Sequence, residues 1–393
     1  MKELLRQARE RLDDTRNLIR RLVECETPSG DAAGIERFVE LLSAELEGSA
    51  RVRRISGGVF GPHLRCEFHL GKGRKDGHIL LLGHSDTVWP AGTLARRPFR
   101  ESKGRLWGPG VFDMKAGLAI GIEAVRLLAA LERPLRRRIV MLVNSDEEVG
   151  SLTSRCFIEK EACRSAAVLV LEPATGLEGK LKTARKGVGL YRVRVLGRAA
   201  HAGVDFAAGA NAVLELARQI ERIAGFTRLA RGVTVSPNVV RGGERSNVIP
   251  DEAVAEIDVR VLRLADAEDL DARLRNLKPY DSRCRIEITG GLNRPPMERS
   301  PGTVKLFRLA RELAAEMGVE LEESTSGGGS DGNFTAALGV PTLDGLGAVG
   351  EGAHAENESV LVERIPERVA LLAGLLERLG NEGLEPEASR RQA

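Results

Sequence analysis

The sequence predicts an α/β protein with a mixed, mostly parallel sheet flanked by helices and an inserted ferredoxin-like α+β unit. Three observations carry this. Residues 79–82, 139–143 and 167–171 are short, continuous apolar runs, the signature of strands buried on both faces. A long stretch of small and apolar residues, 116–131, separates the first two and reads as a helix, giving the strand–helix–strand order of a parallel sheet. From about residue 186 the texture changes to strand, helix, two strands, helix and strand, the order of a split βαβ unit.

Taken in order, Leu4, Leu5, Ala8, Leu12, Ile19, Leu22 and Val23 recur at helical spacing and predict an opening amphipathic helix. Thr27-Pro28-Ser29-Gly30 stops it. A second helix, 31–46, has Asp31 as N-cap and an apolar stripe of Ile35, Phe38, Val39 and Leu42. Strand-like residues 64–70 and 79–82 follow, separated by turns at Gly71-Lys72-Gly73 and Asp76-Gly77. In the inserted unit the strands are 190–196, 232–240, 254–261 and 285–288, with helices at 211–223 and 266–277. A helix at 303–317, a short strand at 341–343 and a closing helix at 364–379 complete the chain. The expected domains are 1–185 with 296–380, then 186–295 as the insertion, with 381–393 a frayed polar tail.

Bulk properties narrow the function classes. Lys plus Arg total 59 against 56 Asp plus Glu in 393 residues, a formal charge of +3, so there is no electrostatic case for nucleic acid or a membrane surface as partner. The five cysteines are widely spread and form no Cys-x-x-Cys pair; they are expected to be small buried hydrophobes in a reducing compartment. The N-terminus is charged and no apolar run approaches the ~20 residues of a membrane span. The expected location is cytoplasmic.

In open α/β sheets ligands bind beyond the carboxyl ends of the strands. Three predicted strands end in polar groups: His84 and Asp86, then Glu147 and Glu148, then Glu172. Taken alone, Asp146-Glu147-Glu148 also fits a solvated turn capped by Gly150. His354 lies in a second glycine-rich, acidic context. A two-metal site needs such ligands from several segments, one of them a carboxylate able to bridge ions ~3.5 to 4 Å apart.

Four segments, Gly83-His84-Ser85-Asp86-Thr87-Val88, the run from Gly108 through Asp113 to Gly117, Asp146-Glu147-Glu148-Val149-Gly150 and Leu171-Glu172-Pro173, carry a family resemblance, closed by Ala353-His354-Ala355-Glu356-Asn357-Glu358. The ordered set resembles the dinuclear zinc metallopeptidases: aminoacylases, acetylornithine deacetylases, succinyl-diaminopimelate desuccinylases and bacterial glutamate carboxypeptidases. The resemblance spans nearly the whole chain. It implies two divalent ions, zinc with cobalt or manganese as alternatives. Asp113 would bridge them, His84 and Glu172 completing one site, Glu148 and His354 the other. Glu147 would be the general base and acid, and Asp86 would orient the His84 imidazole. A non-proline cis peptide between Asp113 and Met114 is also implied.

In the insertion, Ala199-Ala200-His201-Ala202-Gly203 resembles the family's lid segment, with Ala200 where serine is common. It implies that His201 steadies the oxyanion across a homodimer interface; a surface histidine in a turn is the alternative. Asn247 and Arg260 match substrate-binding positions, although Arg260 also suits an ordinary strand-end salt bridge. The Gly327-Gly328-Gly329 loop offers unobstructed backbone amides to a substrate carboxylate, with Arg294 a further candidate. The expected substrate is a small amide or peptide carrying a carboxylate. Release of a C-terminal amino acid, in the manner of a glutamate carboxypeptidase, is the first reading. N-acyl amino acid deacylation or desuccinylation is the second, and a noncatalytic binding relative the third.

Overall fold

A computed structural model describes residues 1–71 and 75–384. The expected turn residues Lys72 and Gly73, and residues 385–393 of the expected tail, lie outside it. The chain divides into two compact units: Met1–Thr183 with Arg299–Ser326 and the described residues from Ser330 on, and Ala184–Glu298 with Gly327–Gly329.

The first unit is built on a six-stranded sheet. Its strands, in spatial order, are Ala50–Ile55, His63–Phe68, Ile139–Asn144, His78–His84, Ser165–Val170 and Thr342–Leu343. The last four run parallel; His63–Phe68 alone runs the other way, pairing antiparallel with Ala50–Ile55 on one side and Ile139–Asn144 on the other. The apolar runs are continuous because both faces are covered. Ile79, Leu81, Ile139, Met141, Ala167 and Leu169 face one core, shared with the helices Leu12–Glu24, Ala116–Ala130 and Ile365–Asn381. Leu80, Leu82, Val140, Leu142, Val168 and Val170 face the other, against Ile158 and Phe334.

Several details depart from the sequence reading. The opening helix is two, Lys2–Glu10 and Leu12–Glu24, broken at Arg11, whose guanidinium pairs with the buried Glu123 at 3.2 Å. The closing helix runs on to Asn381. The arginine-rich edge strand Ala50–Ile55 has no apolar run to announce it, because only one edge of it is paired and none of its side chains is fully buried. A small antiparallel sheet of Gly350–Glu351, Ser359–Leu361, Arg105–Trp107 and Arg100–Ser102 is likewise unannounced. The cysteines are free, but only Cys66 and Cys284 are buried; Cys156 and Cys163 are exposed.

Two positions in this unit lead to tests. Gly117, in the first turn of the helix Ala116–Ala130, lies so close to the chain before Glu172 that a Cβ there would sit 2.0 Å from the Leu171 carbonyl oxygen. Backbone on one side and a helix on the other leave no flexible side chain to yield. Gly117→Ala is expected to cost about 1–3 kcal/mol in urea unfolding. The second is His78, at the start of its strand. Burial pushes its pKa down to about 4, against the opposing pull of Glu161, 3.4 Å away. It therefore stays neutral in the fold. The unfolded chain protonates near the ordinary value of about 6.5, so this share of the stability is whole above that pH and drains away as pH falls toward 4. Between about pH 7 and pH 4.5, His78→Gln is expected to lose about 2 kcal/mol less unfolding free energy than the parent.

The second unit has four antiparallel strands in the order Thr234–Gly242, Glu252–Val261, Gly187–Leu196, Arg285–Arg294. Numbered along the chain this is 2-3-1-4, the order of a ferredoxin-like sheet. Two helices, Ala212–Ala224 and Leu264–Arg275, cover one face. Their Leu216, Ile223, Leu270 and Leu274 pack on Val193, Val195, Ile257 and Val259. Asn211 caps the first helix by accepting from Leu214 N at 2.9 Å.

Candidate metal centre

The parallel strands bring the polar residues together. His84 lies level with Asn144 and Leu82 with Val170, so the chain leaves all three strands at the same edge. Asp113 arrives from an irregular turn, Val111–Lys115, entered through Gly110 in the left-handed region at φ +71° and holding a cis Asp113–Met114 peptide. His354 itself has φ +61°, a sparsely populated conformation for a residue with a side chain and one that recurs at functional sites.

Two clusters result, sharing Asp113: His84, Asp113 and Glu172, and Asp113, Glu148 and His354. Asp113 Oδ1 lies 3.3 Å from His84 Nε2, while its Oδ2 lies 3.3 Å from His354 Nε2. Glu172 Oε1 is 3.6 Å from His84 Nε2, and Glu148 Oε1 is 3.2 Å from His354 Nε2. One carboxylate thus offers an oxygen to each cluster, as a bridging ligand must. The His84 side is closed, at 2% exposure, whereas His354 is 47% exposed. The pair of clusters therefore opens to solvent on the His354 side.

The electrostatics ask for positive charge here. Burial alone would depress the His84 imidazole, yet Asp113, Asp86 and Glu172 hold its pKa well above the ordinary value. Asp113 and Glu148 raise His354 to about 10. Asp113, despite its burial, is held below the usual carboxylate range by the two imidazoles, while burial pushes Glu148 up. Three of the converging atoms, His84 Nε2, Asp113 Oδ1 and Glu148 Oε1, are buried without a hydrogen-bond partner. Buried polar atoms of this kind are costly unless something satisfies them. The donor set is imidazole and carboxylate with no thiolate, which suits zinc, cobalt or manganese. The residues fit two divalent cations.

The loop that carries Glu147 and Glu148 is not a solvated turn. Asp146 is fully buried and Glu147 is 9% exposed. From one side Asp86 accepts the Glu147 and Glu148 amides, both at 3.1 Å, and Ser29 Oγ at 2.8 Å. From the other, Asp146 accepts Thr153 N at 2.6 Å and Ser154 Oγ at 2.6 Å. This refines the role expected of Asp86. The nearest acceptor for His84 Nδ1 is the Asp86 backbone carbonyl, at 2.9 Å, with the carboxylate Oδ1 at 3.5 Å. The carboxylate's shorter bonds, at 3.1 Å, hold the Glu147–Glu148 backbone as well.

Other supporting residues carry no local sequence signal. The buried Arg368 donates to the carbonyls of Gly347, at 2.8 Å, Gly179 and Gly345, and Gly347 N donates to Glu172 O at 2.9 Å. Asp331 accepts from Asn144 Nδ2 at 2.7 Å and from Ser151 Oγ.

The remaining candidates belong to the second unit. His201 and Asn247 are neighbours: Ala200–His201 pairs with Val248–Ile249, and Ala202 N donates to Asn247 O at 2.9 Å. His201 is exposed, with Nδ1 accepting from Gly203 N and Val204 N, both at 3.1 Å. That pattern leaves the proton on Nε2. Arg260 pairs with Asp258 on its own strand at 2.9 Å, the salt bridge weighed as its alternative. Arg294 is buried beside Gly329, and Arg185, which the sequence reading missed, donates to the Gly328 and Gly329 carbonyls at 3.2 Å.

The sequence model of peptidase family M20/M25/M40 matches residues 80–378, which contain every member of both clusters. The chain belongs to this family. It is a hydrolase, and the family is metal-dependent. Carboxypeptidase G2 of Pseudomonas sp. (strain RS-16) is 33% identical over 377 residues, covering 92% of this chain and 88% of that protein. A succinyl-diaminopimelate desuccinylase of Polaromonas naphthalenivorans is 31% identical over 322 residues, 77% of each chain. Among solved structures, aminopeptidase PepT of Bacillus cereus superposes with a TM-score of 0.78 at 21% identity, covering 94% of this chain and 98% of that one. The YXEP protein of Bacillus subtilis, a dinuclear metal-binding peptidase of the M20 family, gives 0.69 at 16% identity, covering 95% and 99%. At these identities the structural likeness speaks for the fold. Among the described residues no helix is long and apolar enough to cross a membrane.

Proposed function

We propose that the chain hydrolyses an amide bond to release a C-terminal amino acid, as a glutamate carboxypeptidase does. The observation that carries this is the pair of ligand clusters sharing Asp113, with three of their atoms buried and unsatisfied. Two divalent cations bound there would supply Lewis-acid polarisation of the scissile carbonyl and acidify the attacking water. His84, Asp113 and Glu172 would hold one, and Asp113, Glu148 and His354 the other. Glu147, on the loop anchored by Asp86 and Asp146, takes the proton from the attacking water and passes it to the departing amine nitrogen. The identity of 33% with carboxypeptidase G2 across 92% of the chain favours this substrate class. Desuccinylation is the second reading, favoured by 31% identity over a shorter span.

His201, with a proton on Nε2, is assigned to steady the oxyanion from within a homodimer, and Asn247, Arg260, Arg294 and the Gly327–Gly329 loop to bind the substrate carboxylate. The deciding experiment assays the protein with Zn²⁺, Co²⁺ or Mn²⁺ against N-acyl and peptidyl glutamate and N-succinyl amines, with the mass in solution measured by light scattering. Faster release of glutamate than of succinate supports the proposal. A preference for the succinyl substrates would replace it with the second reading, and a monomeric active enzyme would remove delivery of His201 from a partner.

A further inference from the structure

Glu358 is buried at 3% exposure and takes no part in either ligand cluster or in the proton transfer. Its side chain nevertheless gathers four donors. Oε1 accepts from Phe112 N at 2.9 Å and Asp113 N at 3.1 Å, and Oε2 accepts from Gly110 N at 2.9 Å and Trp89 Nε1 at 2.6 Å. Three of these are backbone amides of the turn that presents Asp113. That turn is not helical at Asp113 or Met114; the Val111 and Lys115 amides find the carbonyls of Gly108 and Gly110, while those of Gly110, Phe112 and Asp113 are satisfied by the Glu358 carboxylate.

Glu358 is also the last residue of the His354 turn. Its own amide donates to Ala355 O at 3.1 Å, and Ala355 N donates to Gly352 O at 2.9 Å. The strand after it, Ser359–Leu361, pairs with Arg105–Trp107, from which the Asp113 turn departs. One carboxylate therefore joins the two loops that carry Asp113 and His354.

We propose that Glu358 is a positioning residue of the metal centre, acting as the acceptor that fixes the Asp113 turn so that Oδ1 and Oδ2 face separate cations. The inference rests on reading the two clusters as a dinuclear site. Ionised, Glu358 is an acceptor at both oxygens. A glutamine has one acceptor oxygen and would turn an NH₂ group toward donors, so Glu358→Gln keeps the shape and breaks half of the network.

The test strips the full-length protein of metal, titrates it with Co²⁺ against a chromogenic chelator, and records the visible absorption of the cobalt-loaded form. Glu358→Gln is expected to weaken Co²⁺ binding by about 10- to 100-fold, the usual effect of losing a group that orients a ligand, and to change the cobalt spectrum. The melting temperature of the metal-free protein is followed in parallel, because a purely structural role would move it alone. A loss of binding below about fivefold, or an unchanged spectrum, overturns the proposal. Wild-type protein that takes up fewer than two Co²⁺ overturns the dinuclear reading and this inference with it. Should Glu358→Gln not fold, Trp89→Phe removes one donor and leaves the carboxylate in place. At least about a twofold loss with a changed spectrum is then expected, and anything less overturns the proposal.

Discussion

Glu147→Gln is expected to lower kcat by about 10²- to 10⁴-fold, the usual contribution of a positioned general acid and base, with two cations still bound per chain. The separation of these readouts follows from the loop. The Glu147 and Glu148 amides are held by Asp86, both at 3.1 Å, and Asp146 before them is held by Thr153 N and Ser154 Oγ, both at 2.6 Å, so an isosteric amide at this position leaves the ligand geometry alone. The carboxylates next to it in this loop and beneath it are already engaged. Glu148 is turned to His354 at 3.2 Å, and Asp86 is engaged by two backbone amides and Ser29. The measurement is steady-state kinetics beside elemental analysis of the same preparation. Full activity in the variant would remove Glu147 from the mechanism; loss of metal along with activity would make it a ligand instead.

Asp113→Ala is expected to abolish activity by a different route, through the metal content. Each cluster loses its shared member, leaving His84 with Glu172 and Glu148 with His354. A single substitution then lowers the stoichiometry from two ions toward none, whereas Glu172→Ala or His354→Ala removes a ligand from one cluster only. The expectation is also thermodynamic. A cation that binds the folded chain alone stabilises it by about 2.7 kcal/mol at a free concentration one hundred times Kd. Wild-type protein should therefore melt higher as Zn²⁺ is added, and Asp113→Ala should barely respond. A variant that still binds two ions and gains the same stabilisation would show that Asp113 does not bridge.

The candidate ligands are legible in the sequence because each stands just past a short apolar run or in a glycine-rich loop, and strands buried on both faces announce themselves by composition. Glu147, Glu148 and Glu172 are visible for this reason. The groups that hold the ligands are not visible, because their partners are far apart in the chain. Glu358 accepts from amides some 245 residues earlier, and Arg368 secures the loop behind Glu172 from a helix near the C-terminus. Asp86 shows the same limit at shorter range. Beside its ion pair with the His84 imidazole at 3.5 Å, its carboxylate also accepts the Glu147 and Glu148 amides, 61 and 62 residues away, which nothing local announces.

By itself, the sequence determined the layers of the fold and the presence of an inserted unit, since hydrophobic period is a local property, and the resemblance of its motifs named the candidate cation ligands. Only the tertiary structure decided that Asp113 faces two clusters with different oxygens, that the Asp146–Glu148 stretch is buried, and that one carboxylate, Glu358, joins the Asp113 and His354 loops. Those outcomes depend on strand register and on which buried donor finds which acceptor, and both are settled by packing between segments distant in the chain.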